Sequence, residues 1–329
     1  MTVTPRALSF GATLFAALVS WAFPSVFAQS LPARPVHVVT LFVPGSTGDT
    51  TARIWCASLS TVLGQPVVLD NVAGAGGVLA AERVAKAPPD GTTLLFSLSS
   101  VHVFRTFLSR NTPFHPVNDF TPITELGETV TLLVANATAP FSSLREMLDY
   151  AKANPGKLSY GTSGVGSPTH LGAELIKQLT GVELVHVPYK GVAQALQDSI
   201  AGQIPLSYAI AGLAWPAFKA GRIKVLAIAG ESRYARLPDV PTLAEAIPGY
   251  EPVPSWTGVF APPALPAGLL KRLHADIVKS VNVPEVKAKL AEGDFQVITN
   301  TPEDFLAKIR RETELVGRIV KRAGIQPSD

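Results

Sequence analysis

Two short stretches combine residue types that hold an anion without needing a cation. Val43-Pro44-Gly45-Ser46-Thr47-Gly48-Asp49 joins an apolar β-branched run to a helical pattern. Its glycines let the backbone approach a ligand closely. Thr47 or Asp49 is placed to cap the helix, and free N–H groups at a helix start, with the helix dipole, favour negative charge. An ordinary capped turn accounts for the same residues equally well. The second stretch is Ser163-Gly164-Val165-Gly166-Ser167-Pro168-Thr169-His170. Ser167 fits an N-cap with Pro168 at the first helical position. The Ser163 and Ser167 hydroxyls and the glycine backbone around Gly166 form a candidate second anion cradle. His170 falls at the third helical position. The positive helix start should depress its protonation, leaving a neutral imidazole that orients the loop.

Other motifs are weaker. Asn71 to Gly77 reads NVAGAGG, without G-x-G-x-x-G spacing or the acidic residue a dinucleotide site needs. It is expected to be a tight turn beneath a cleft. In His186-Val187-Pro188-Tyr189-Lys190-Gly191, Tyr189 is a candidate ligand contact, and a plain strand end leading into a helix is the alternative. Gly161-Thr162-Ser163-Gly164-Val165 approaches the G-x-S-x-G elbow but has Val165 where the last glycine belongs. A hydrolase built on Ser163 and His170 is the rival reading, and no acid is set to orient the histidine. The chain carries no phosphate-loop, H-E-x-x-H or clustered Cys/His motif. No catalytic residue, metal or cofactor is therefore expected.

The elements that must position these loops alternate. Val36 to Val43, Pro66 to Asp70 and Thr93 to Ser97 read as strands. Helical patterns at Thr50 to Leu63 and Gly77 to Lys86 separate them, so a doubly wound α/β sheet is expected. The middle repeats the scheme. Its strands are Val130 to Val134, Lys157 to Gly161, Glu183 to Val187, Ile204 to Ile210 and Lys224 to Ala229. Helices at Leu144 to Ala153, Pro168 to Leu179 and Val192 to Ala201 intervene. Prolines 252, 254, 262, 263 and 266 point to a crossing loop rather than a strand. The tail reads as helices at Ala267 to Val281, Pro284 to Ala291 and Pro302 to Ala323, with a short strand at Phe295 to Ile298. Crossovers near Thr129–Thr131 and Gly249–Thr257 would hinge two lobes.

The bulk numbers suit this plan. The chain has 329 residues, 47% hydrophobic and 16% charged, with a formal charge of +3. That is enough for two cores, too apolar for disorder and too weakly basic for nucleic acid. Arg6, the apolar run from Ala7 to Phe23 and Ser25-Val26-Phe27-Ala28 form an export signal, with cleavage expected after Ala28. The single cysteine, Cys56, allows no internal disulfide and reads as a small buried residue. Arg53 is expected to act as an interdomain strut.

Several segments in order carry a family resemblance: VPGSTGDTTAR from Val43, LGQPVVLDNVAGAGG from Leu63, APPDGTTLLFS from Ala87 and NDFTPI from Asn118. NPGKLSYGTSGVGSPTHL from Asn154, VHVPYKG from Val185, LPDVPTLAEA from Leu237 and TPEDF from Thr301 follow. Over nearly its whole length beyond the export segment, the chain resembles the tripartite tricarboxylate transporter receptors, the TctC-like or Bug family of periplasmic binding proteins. The resemblance implies a type II periplasmic binding fold. Residues 1–28 would be the signal peptide, 29–129 with 253–329 one lobe, and 130–252 the other. It implies a ligand carboxylate held by backbone N–H groups and hydroxyls, generally without Arg or Lys. Gly45, Ser46, Thr47 and Asp49 would belong to the first loop, and Ser163, Gly166, Ser167 and His170 to the second. Ser97 and Trp256 are further candidates. Three positions depart from the family pattern: Ser46 replaces a frequent glycine, Asn71-Val72 replaces an Asn-Arg turn, and Pro205 and Ala209 replace acidic residues. Ala209 at the distal end of the ligand speaks against an ammonium-bearing ligand. The implied role is a monomeric periplasmic receptor that delivers a dicarboxylate, tricarboxylate or aromatic carboxylate to a tripartite-type permease. Presentation of the closed form to a membrane sensor is an alternative.

Overall fold

The computed structural model describes residues 1–2 and 31–327. The export segment and its cleavage site lie outside the described residues. From residue 36 the chain builds β1 (Val36–Thr40), α1 (Thr47–Leu63), β2 (Val67–Asn71), α2 (Val78–Ala85) and β3 (Thr93–Leu98). A π-helical turn at Ser100–Phe104 leads into α3 (Arg105–Leu108), then β4 (Thr121–Thr129). The second sheet is made from β5 (Thr131–Asn136), α4 (Leu144–Ala153), β6 (Leu158–Thr162), α5 (Pro168–Thr180) and β7 (Leu184–Pro188). It continues with α6 (Val192–Ile200), β8 (Leu206–Ile210), α7 (Ala211–Lys219), β9 (Ile223–Ile228) and α8 (Leu243–Ala246). The chain returns through β10 (Trp256–Ala261), α9 (Ala267–Val281), α10 (Pro284–Glu292), β11 (Phe295–Val297) and α11 (Pro302–Ala323).

The strands form two mixed sheets, ordered β11-β4-β10-β3-β1-β2 and β7-β6-β8-β5-β9. In each, three strands linked by helices run parallel, the pairing that a helical crossover connection allows. An antiparallel crossing strand is then inserted beside them. β10 lies between β3 and β4, and β5 lies between β8 and β9. The result is a two-lobed α/β protein whose chain crosses between sheets at Val130 and again ahead of Trp256.

Local chemistry sets the helix ends. Ser46 caps α1 by accepting from Asp49 N at 3.3 Å, and Gly64 closes it at φ 68°. The cap is therefore Ser46 rather than Thr47 or Asp49. Ser167 caps α5 through His170 N at 3.2 Å, with Pro168 opening the helix and Gly181 closing it at φ 72°. In the first core, Trp55 is wholly buried and its indole N–H donates to Ser280 Oγ at 3.0 Å, tying α1 to α9. Cys56 is buried beside it, and burial pushes its thiol up to about 12. It is inert packing material.

Two strands differ from the sequence expectation. Trp256–Ala261 is a fully buried central strand, not a crossing loop. The prolines at 252, 254, 262 and 263 bracket the strand and none interrupts it, so the ladder keeps all its N–H donors. Thr121–Thr129 is the other, disguised by Pro122, Gly127 and two glutamates that an isolated sequence reading places at the surface.

Those glutamates belong to an ionic junction between the lobes. Lys308 of α11 reaches Glu125 of β4 at 2.9 Å and Glu231, beyond β9, at 2.7 Å, with Glu312 at 4.0 Å. Glu312 also accepts from the Trp256 indole N–H at 2.7 Å. Burial raises Glu128 to about 7, and the neighbouring Glu231 and Glu125 charges add to the rise. Burial likewise raises Glu312 to about 7, against the lowering pull of the Trp256 indole and Lys308. Burial opposes the charge on Lys308, but the surrounding carboxylates hold its pKa above the ordinary value. The same loop is tied down again by Gln296 Nε2 to Ser232 Oγ at 3.0 Å and by Asp294, which takes the Tyr234 hydroxyl and Arg236.

Candidate functional site

Between the two sheets lies a cavity of about 670 Å³. One wall carries Phe42, Ser46 and Leu98, and the facing wall carries Ser163, Pro168, Thr169, Gly172, Lys190, Gly191, Val192, Tyr208 and Ile210. The crossings supply Thr129, Thr131, Ala229, Tyr250, Val253 and Ser255. Three helix starts therefore border one space: α1 at Ser46, α5 at Pro168 and Thr169, and α6 at Gly191 and Val192. First-turn N–H groups have no partner within their own helix. Each helix start carries roughly half a positive charge, and an anion at a partly buried start gains up to about 2 kcal/mol.

Of the residues named from sequence, Ser46 and Ser163 line this cavity, and Ser167 and His170 hold its second loop. Ser163 Oγ pairs with Thr169 Oγ1 at 3.2 Å, and Ser167 Oγ with Thr169 Oγ1 at 3.0 Å. Ser167 also donates to Gly164 O at 2.7 Å. Gly166 N donates to His170 Nδ1 at 3.0 Å, so that nitrogen is an acceptor and the imidazole orients the loop. Burial, rather than the helix start alone, lowers His170 and favours its neutral form, with Lys177 assisting and Glu174 opposing. Its ring stacks on His186 with centroids 4.0 Å apart. Ser163 and His170 thus have separate partners and form no nucleophile–base pair. Gly166 takes φ +75°, and a Cβ there would lie 2.7 Å from Leu108 Cδ1, so Leu108 of the first lobe packs onto this loop of the second.

The first loop is held from behind. Asp49 is buried, and its carboxylate accepts from Gly45 N at 2.8 Å, Arg53 Nε at 2.9 Å and Asn71 Nδ2 at 2.8 Å. The Arg53 hydrogen bond does most to bring it down to about 2; burial opposes, and Gly45 N–H and Asn71 add to the lowering. Asp49 therefore positions the loop instead of lining the cavity. Among the described residues Arg53 bonds Asp49 and, at 3.1 Å, Asn71, both of its own lobe, and makes no bond to the other lobe, so the expected interdomain strut is not seen there. Gly45 and Thr47 border a separate depression of about 530 Å³ between α1 and α10.

The remaining residues named from sequence lie away from the cavity surface. Trp256 is 1% exposed and engaged with Glu312, so the crossing presents Ser255 to the cavity instead. Ser97 is fully buried on β3, where its neighbour Leu98 faces the space. The Tyr189 hydroxyl donates to Asp198 at 2.8 Å, and Lys190 and Gly191 line the cavity in its place. Lys190 is also a cation at a site expected to have none. Ala209 packs in the core of the second sheet, because alternation on β8 turns Tyr208 and Ile210 toward the cavity. Asn71–Gly77 forms its turn between β2 and α2 without lining the space.

Sequence matching finds the tripartite tricarboxylate transporter family receptor model, TctC, over residues 51–325. Protein BugT of Bordetella pertussis is 32% identical, over 94% of this chain and 95% of its own length. Among solved structures, the R. palustris protein Rpa4515 with adipate is 34% identical and superposes with a TM-score of 0.75, covering 90% of this chain and 99% of that one. MatC from Rhodopseudomonas palustris with bound malate is 33% identical with a TM-score of 0.69, covering 88% and 99%.

Proposed function

Since the chain belongs to the tripartite tricarboxylate transporter receptor family, we propose that it captures a small carboxylate in the interlobe cavity and delivers it to a tripartite-type permease. It is a binding receptor and not an enzyme. The observation that carries the ligand class is the convergence of three helix starts and the Ser46, Ser163, Thr169 and Ser255 hydroxyls on one cavity. The remaining wall is largely apolar, from Phe42, Leu98, Val192, Ile210 and Val253. That pattern favours a carboxylate with an apolar body over an amino acid, whose ammonium would find no carboxylate among the lining residues. Relatives with adipate and with malate support the same class.

In this reading residues 29–129 and 253–329 form one lobe and 130–252 the other. Closure brings the two loops together, with Leu108 seated on Gly166. The mature receptor works as a periplasmic monomer after removal of residues 1–28. Calorimetric titration with adipate, malate, benzoate, aspartate and glutamate tests the proposal. Binding of one or more of the first three is expected. Tight binding of the amino acids alone would overturn the ligand class, and no binding by any of the five would remove the support for capture of a small carboxylate.

A further inference from the structure

The cavity has a second pole. Tyr208 is 1% exposed, and its hydroxyl is buried with no hydrogen-bond partner among the described residues. An unmade bond at a buried hydroxyl is costly, and its presence in a ligand cavity points to a partner the ligand brings. Tyr250 converges on the same spot. A Cβ at Gly172 of α5 would lie 3.0 Å from the Tyr250 hydroxyl and 3.6 Å from that of Tyr208, so both phenols gather over one glycine. Burial raises the pKa of both, keeping them protonated donors. Gly172 lies three residues beyond Thr169, about 5 Å along the helix, on the same face.

We infer that the Tyr208 and Tyr250 hydroxyls recognise a neutral oxygen on the ligand, a hydroxyl or carbonyl, about 5–6 Å from the carboxylate held at the start of α5. The inference rests on the carboxylate reading above and adds a second functional group to the ligand. A second carboxylate fits this pole poorly. Glu174 already takes the Tyr160 hydroxyl at 3.0 Å and Lys177 at 2.7 Å, so among the described residues the Lys177 cation is already paired. Lys190 is an exposed residue of the cavity wall, at the start of α6. A buried, unpaired second charge would therefore be disfavoured, whereas a neutral oxygen completes the phenol pair.

The test pairs acids that differ only in that oxygen: 4-hydroxybenzoate against benzoate, and 6-hydroxyhexanoate against hexanoate. They are titrated into the wild-type protein and into Tyr208→Phe and Tyr250→Phe. In at least one pair the oxygenated acid is expected to bind about tenfold or more tighter, and Tyr208→Phe to remove most of that preference. Thermal melts confirm folding. Tyr208→Phe should melt no lower than wild type, because it deletes an unpaired buried hydroxyl. Equal binding within both pairs, or a preference that survives both substitutions, would overturn the inference while leaving the receptor reading intact. Binding of adipate or malate with none of the four probes would do the same. Failure of every acid to bind would overturn both.

Discussion

Removing the Lys308 ammonium while keeping its bulk, as in Lys308→Met, should strip the lobe junction of its cation. The Lys308 side chain is 13% exposed and that of Glu125 1%, so the pair is effectively buried. Breaking a buried pair from one side costs about 3–5 kcal/mol. Units of roughly 150–250 residues lose about 2–4 °C of Tm per kcal/mol. The variant should therefore melt on the order of 10 °C lower near neutral pH. The pH dependence makes the test specific. Glu128 and Glu312 are held at about 7, above the ordinary 4.5, because burial disfavours their charged forms. The folded state thus binds these protons more tightly than the unfolded state. Their contribution to stability rises as pH falls from about 7 toward the ordinary value, by up to ~1.4 kcal/mol per pH unit for each group. Lys308 stays charged throughout this window. Without it, Glu125, Glu128, Glu231 and Glu312 repel one another unopposed, so the variant should gain more on acidification than wild type. The gap between the two proteins should narrow between about pH 7.5 and pH 5. Calorimetric melting or urea unfolding at both values reads it directly. A loss below about 1 kcal/mol, the size expected of an exposed pair, or an equal loss at both pH values, would refute the reasoning.

Ser46→Ala removes the α1 cap and a cavity hydroxyl together. It should cost about 0.5–2 kcal/mol by thermal melting, with weaker binding of whichever of adipate, malate or benzoate the wild type takes by calorimetry. Gly166→Val places a β-branched residue at φ +75° and a side chain against Leu108. The strain and clash, of order 1–3 kcal/mol, should weaken binding of the same acid roughly tenfold and give a more open form in small-angle scattering. Unchanged affinity would show that Leu108 does not seat on this loop when the ligand binds.

Much of the candidate site was legible in the sequence because helix capping is local. Ser167-Pro168 announced the start of α5, and His170 its loop contact, from residues within one turn. Tyr208 was missed because period-two alternation decides which of Tyr208 and Ala209 faces the cavity, and alternation gives no sign of which face is which. Trp256 and Lys308 were illegible for another reason. Their partners, Glu312 and Glu231, lie 56 and 77 positions away in the chain, so nothing near either residue shows that it is paired. By itself the sequence determined the alternating elements, the helix starts and the family pattern, since each depends on residues a few positions apart. Only the tertiary structure decided that three helix starts share one cavity, that β10 is a central strand, and that two tyrosines converge on Gly172. Those facts depend on the register of strands and on contacts between distant segments, which local propensity does not encode.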